Sequence, residues 1–174
     1  KARRGIAQER GGARGAVHAV ANCSVAAYLA FLAGSVPPWN RPWLWLAFTA
    51  SLATAACDTL GSEIGPLGTA KPFLITRLKR VPAGTPGAVS WLGTLAGALG
   101  ALLVAIVAAA TGIIPAWWTP IVVAAALFGA MLESLLGATL EPLDFVDSET
   151  INFVNTLAGG LASMGILRLL SRTS

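Results

Sequence analysis

Charge is scarce in this chain of 174 residues. Only 11% of its residues are Asp, Glu, Lys or Arg while 55% are hydrophobic, and its mean hydropathy is +0.70. An ordinary soluble domain carries roughly 25% charged residues, so a water-soluble globular fold is excluded. There is one His and there are two Cys. Cys23 and Cys57 sit inside apolar runs without C-x-x-C spacing, which excludes a zinc site or a disulfide framework and leaves both expected as small buried hydrophobes. The chain also lacks short segments of alternating hydrophobicity, which excludes a transmembrane β-barrel. It has no secretory signal pattern, no G-x-x-x-x-G-K-[ST] phosphate loop and no visible inverted repeat of the kind that rocking-halves transporters are built from.

What the chain has is long apolar runs. Windows near residues 16–36, 42–60, 88–114, 117–140 and 151–170 are each close to the roughly 20 residues that cross about 30 Å of hydrocarbon. The fold class is therefore all-α: a polytopic helical bundle in the membrane with five spans, read as one membrane domain over 1–174. The chain starts at Lys1 and not Met, so upstream spans are expected to be missing. The net charge of +4 is gathered in two short segments, which makes it a topology signal and gives no reason to expect a nucleic-acid partner.

If each run crosses once, the segment before the first helix and the loop 64–87 share one side. Lys1, Arg3, Arg4, Arg10, Arg14, Lys71, Arg77, Lys79 and Arg80 lie there, against Arg41, Arg168 and Arg172 opposite. The positive-inside tendency makes the first side cytoplasmic, which predicts a bacterial inner-membrane protein with a cytoplasm-facing site. Seven of the eight acids lie on or near that side, and Glu133 lies about two helical turns inside the membrane from it. The other side has no acid and carries Trp39, Trp43, Trp117 and Trp118, as an interfacial aromatic belt does.

Small and polar residues recur at helical spacing. Gly129, Glu133, Gly137 and Glu141 form one stripe, Ser90, Gly93, Gly97 and Ala101 a second, and Asn152, Asn155, Thr156, Gly159 and Ser163 a third. Close helix packing is expected along all three.

The acids raise a sharper question. A carboxylate inside hydrocarbon costs at least about 2.5–3.5 kcal/mol, so Glu133 needs a partner, a wet cavity or a ligand. Asp58 and Glu63, in ACDTLGSEIG, stand at the end of the second helix; five apart, they share a face only if that helix ends or bends near Gly61 or Gly65-Pro66. The following loop offers Lys79 and Arg80, then RVPAGTPGAVS, whose glycines permit close backbone approach. Thr85 is the candidate N-cap there, with Pro86 at the first helical position. Free N–H groups at a helix start suit an anion. Carboxylates on two helices beside such a loop match Mg²⁺, with Mn²⁺ as a substitute, bound together with phosphate oxygens. That is the logic of phosphoryl or nucleotidyl transfer. His18, one turn before Asn22, is expected as a hydrogen-bonded structural residue rather than a base. A transporter using Glu133 for a cation or proton, and a non-catalytic scaffold using the glycine stripes, are the rival readings.

The blocks ACDTLGSEIG, ITRLKRVPAGTPGAVSWLGTLAG, ESLLGATLE and INFVNTLAGG, in this order, resemble the signature blocks of the transmembrane protein 19 family, domain-of-unknown-function family 92, to which plant phytyl-phosphate kinase belongs. Leu60 and Gly61 stand where that pattern has Trp and Ala, Pro86 where it has Asn, Glu133 where it has Asp and Glu141 where it has Gln. The resemblance implies a multispan membrane kinase that converts phytyl or prenyl phosphate to the diphosphate with a nucleoside triphosphate such as CTP. On that basis Asp58, Glu63 and Glu133 are the expected catalytic and metal-binding residues. Lys79, Arg80, Gly84, Thr85, Gly87 and Ser90 are the expected phosphate-binding residues, with Asn22, Ser62, Asn152 and Asn155 as polar support. The expected partners are a nucleoside triphosphate, an isoprenoid-phosphate lipid and the surrounding membrane lipids; a homo-oligomer is left open. The lipid phosphate is already ionised at neutral pH, so its attack needs no strong general base.

Overall fold

A computed structural model describes residues 16–35, 42–140, 143 and 146–172. The basic segment 1–15, Trp39, Arg41, Glu141 and Asp144, which entered the sequence reading, lie outside the described residues. Five helices run Ala16–Ser35 (α1), Pro42–Ile64 (α2), Trp91–Ala110 (α3), Thr119–Thr139 (α4) and Ser148–Leu170 (α5). All five are long and apolar enough to cross a membrane. The all-α membrane bundle read from the sequence is the fold.

α2 is the central helix. Of its span, 61% is buried inside the protein, against 39% or less in the other four, and it packs against every one of them. Leu46, Ala47, Ala50 and Ala53 on α2 are fully enclosed. Small residues make this possible. A Cβ placed on Gly93 would lie 2.8 Å from the Gly61 carbonyl oxygen, and one on Gly97 would lie 2.7 Å from that of Cys57, so α2 and α3 touch backbone to backbone. On the other flank of α2, Thr54 fills the space left by two glycines. A Cβ on Gly129 of α4 would come within 2.6 Å of its methyl, and one on Gly159 of α5 would collide with its hydroxyl. Leucines and aromatics point outward from α1, α3 and α4, where lipid rather than water is the solvent. Cys57 is buried as expected, but Cys23 is exposed: it sits on the outer face of α1, where hydrocarbon accepts a thiol as readily as the interior does.

The loop between α2 and α3 is more ordered than its sequence suggested. After a 3₁₀ turn at Gly65–Leu67, the strands Phe73–Leu74 (β1), Lys79–Arg80 (β2) and Ala88–Val89 (β3) form a small antiparallel sheet in the order β2-β1-β3, with Phe73 opposite both Arg80 and Val89. Thr85 is not a helix cap. Its hydroxyl donates to the Pro82 carbonyl at 2.8 Å, and Gly84 and Gly87 at φ +91 and +70 hold turn conformations that no helix accommodates. Helix α3 starts at Trp91, where the Ser90 hydroxyl accepts from the Gly93 N–H at 3.1 Å. The consequence is positional: the helix start lies beyond the glycine turn rather than within it.

Candidate functional site

The end of the bundle that carries this sheet, here called the hairpin end, also holds the start of α1, the end of α4 and the start of α5. A cavity of about 350 Å³ lies there, lined by α2, α3, α4, the starts of α1 and α5 and the segment Ala83–Ser90. That segment covers the cavity because Gly87 lets it lie directly on α4: a Cβ there would collide with the Ser134 carbonyl oxygen and the Ala138 amide nitrogen.

Several residues singled out in the sequence converge on this space. Asp58 and Ser62 from α2, Glu133 from α4, Asn152 from α5, and Gly84, Thr85, Gly87 and Ser90 from the covering segment all line it. Asp58 is 7% exposed, a carboxylate nearly withdrawn from the surface. Glu133 is held from behind by Asn155, whose side-chain amide donates to its Oε2 at 2.9 Å from a position with no exposure at all. A hydrogen bond to a charged acceptor of this kind fixes the carboxylate's direction.

Other expected residues are not brought to the cavity. Glu63 is exposed and does not line it, because α2 stays helical through Ile64 and the bend that would have aligned Glu63 with Asp58 does not occur. Lys79 and Arg80 are exposed on β2, outside the lining. Asn22 is buried on α1 without lining the cavity, its side-chain oxygen having no hydrogen-bond partner among the described residues.

His18 is where expected and does more than expected. Its Nδ1 lies 3.5 Å from Glu149 Oε1, and its Nε2 lies 2.9 Å from the Asn152 amide nitrogen. With the proton on Nδ1, the ring donates to Glu149 and accepts from Asn152, which ties α1 to α5 at the cavity wall. Ser134, Ser148 and Thr94 also line the cavity and were missed. On α4, helical arithmetic holds the signal: Leu127, Ala130, Met131 and Ser134 form a stripe next to the glycine stripe, and Glu133 lies on the border between the two.

The donor set bears on a metal. Among the described residues, no three His, Cys, Asp or Glu side chains group in a way that would hold a metal ion by themselves. Mg²⁺ does not need such a cage, since it is usually bound by one or two carboxylates together with substrate phosphates and water. Asp58 and Glu133, on separate walls of one accessible cavity, suit that mode.

The model of the family described as integral membrane protein DUF92 matches residues 1–160. The chain belongs to this family. It is 38% identical over 164 residues to an uncharacterized membrane protein, sll0875, of Synechocystis sp., covering 93% of this chain and 63% of that protein. It is 36% identical over 128 residues to an uncharacterized membrane protein, MJ0933, of Methanocaldococcus jannaschii, covering 72% and 51%. It is 31% identical over 169 residues to Protein VTE6, chloroplastic, of Arabidopsis thaliana, covering 94% and 51%. The chain thus spans between about half and two thirds of the length of these relatives. No solved structure matches it.

Proposed function

We propose that this chain carries the site of a membrane phosphotransferase that moves a phosphoryl group from a nucleoside triphosphate, CTP being the donor the family resemblance implies, to an isoprenoid phosphate. The site would face the cytoplasm. The observation that carries the reading is the meeting of Asp58 and Glu133, on two membrane helices, under a glycine-containing segment that ends in a helix start. A carboxylate held at a membrane edge is costly unless it is paired or joined by something cationic. Mg²⁺ or Mn²⁺ bound with the substrate phosphates would supply that charge and neutralise the negative charge that develops in transfer.

The chain's own residues have separable tasks. Asp58 and Glu133 would hold the metal, and Asn155 keeps Glu133 aimed. Gly84 allows the backbone close to a phosphate, Gly87 seats that segment on α4, and the Ser90 hydroxyl offers a donor to the phosphate oxygens. Asn152 and Ser62 are placed to orient the acceptor phosphate. Because Lys79 and Arg80 do not line the cavity, they attract the anionic substrates from outside instead of gripping them. The lipid phosphate oxygen attacks the terminal phosphorus of the triphosphate, the bond from that phosphorus to its bridging oxygen breaks, and the nucleoside diphosphate leaves.

Mn²⁺ binding followed by electron paramagnetic resonance in the presence of a non-hydrolysable nucleotide tests the reading. Asp58→Asn and Glu133→Gln should each weaken binding at least about tenfold, while Glu63→Gln leaves it within about twofold. Equal losses in all three, or none in any, would remove the cavity from consideration.

A further inference from the structure

The cavity is polar toward the hairpin end and apolar toward the middle of the membrane. At the end away from the hairpin, α3 and α4 pack tightly, with Ala101, Ala105 and Ala108 in one buried cluster with Ile121, Val122 and Ala126. Toward the hairpin end the same two helices line the cavity instead, through Gly93 and Thr94 on α3 and Leu127, Ala130 and Met131 on α4. Thr94 is at the same time exposed, and Met131 is 60% exposed. Lining residues that stay this exposed mark the place where the cavity wall between α3 and α4 is open.

Depth decides what lies outside. Met131 is eight residues before the end of α4 and Leu127 twelve, about 12 and 18 Å along the helix. In hydrocarbon about 30 Å thick, that places the aperture within the lipid phase and not in water. The covering segment rests on Ser134 and Ala138 of α4, on the hairpin side of Met131.

We infer that the gap between α3 and α4 is a lateral portal: the head of a single-chain amphiphile occupies the polar end of the cavity while its tail leaves between Thr94 and Met131 into the bilayer, and Met131 sets which tails pass. That the head is a phosphate rests on the function proposed above; the portal does not. A cavity of about 350 Å³ is near the lower limit for ligand pockets, about 300 Å³, so it has room for a head beside another small group and none for a long tail, which has to lie outside. Methionine, unbranched and deformable, suits a wall that yields to a moving chain. A second apolar groove, on the outer face of α2 and α3 and lined by Leu60, Leu92, Leu95 and Leu99 among others, offers no such route. It is cut off from the polar end by the seam where Gly61 and Gly93 touch.

The test uses the full chain in zwitterionic nanodiscs with butyl phosphate, hexadecyl phosphate, and hexadecyl phosphate and hexadecanol each bearing a diazirine a few carbons from the head. Photolabel should fall on the α3–α4 residues around Thr94, Leu127 and Met131. Met131→Trp, which narrows the gap, should weaken hexadecyl phosphate binding at least about tenfold while butyl phosphate stays within about twofold. Retained butyl phosphate binding in Met131→Trp guards against a folding defect, and Leu95→Trp in the other groove should change neither affinity. Label concentrated on Leu95 and Leu99, or a Met131→Trp effect equal for both tail lengths, overturns the portal. If neither phosphate binds but the alcohol still labels α3 and α4, the portal stands and the phosphotransferase reading falls. If phosphate transfer proceeds while label lies elsewhere, the outcome is the reverse.

Discussion

Glu133 and Asn155 make a pair whose worth depends on what else the carboxylate meets. Asn155 is wholly buried and spends its amide on Glu133 Oε2 at 2.9 Å. As a positioning residue behind a ligand, it should matter to metal affinity without touching metal. Asn155→Ala is expected to lower Mn²⁺ affinity about 10- to 100-fold, while Asn155→Asp, which sets a second carboxylate against the first, should impair insertion or folding. Isothermal titration and size-exclusion profiles of the purified variants check both. At this scale the sequence was informative wherever a charge interrupted an apolar run, which is why Asp58 and Glu133 were legible. It misled where two charges were merely close in sequence. Glu63 reaches Asp58's face only if α2 breaks near Gly61, and glycine in a membrane helix permits a break without requiring one. Lys79 and Arg80 were misplaced for a related reason, since strand pairing with Phe73 and Leu74 sets them on an exposed hairpin arm.

Two junctions at the scale of the elements carry predictions. Thr54 on α2 sits between Gly129 and Gly159, and its hydroxyl donates back to the Ala50 carbonyl at 2.8 Å. Gly159→Ala would place a methyl against that hydroxyl and should cost about 1–3 kcal/mol as overpacking. Thr54→Ala in the same chain should recover much of the loss, and thermal unfolding in detergent reads the cycle. At the start of α5, Asp147 accepts from the Thr150 N–H at 2.8 Å, and hydrogen bonding with Thr150 holds its carboxyl below the ordinary value. A depressed pKa contributes stability above the unfolded value, near 3.8 here, that is lost as pH falls through the lower folded one. Hydrogen exchange of the first turn of α5 should therefore lose protection on acidification below about pH 4, and Asp147→Asn should flatten that dependence. All five helices could be read from length and hydropathy alone. The three-stranded sheet could not, because strands of two residues carry no periodicity and β1–β3 pairing joins residues fourteen and sixteen apart. Nor could the true cap of α3: Thr85-Pro86 imitates a helix start, and only the positive φ of Gly87 shows that the chain is still turning.

The whole molecule is a bundle packed tightly at one end and opened at the other. Alanines bring α3 against α4 away from the hairpin, glycines bring α2 against α3 toward it, and the cavity lies beside that glycine seam, where α3 and α4 no longer pack on each other. Acids from two helices and a covered helix start meet in that opening, so the chemistry proposed for it depends on the arrangement of the bundle and on no single motif. The most direct test is transfer itself. Purified protein in nanodiscs, given Mg²⁺, a panel of terminally labelled nucleoside triphosphates and a prenyl phosphate, should yield the labelled prenyl diphosphate by mass spectrometry. Yield should be lost in Asp58→Asn and Glu133→Gln and kept in Glu63→Gln. Diphosphate formed undiminished by Asp58→Asn, or label from no donor reaching the lipid, would contradict the assignment of this cavity to phosphoryl transfer.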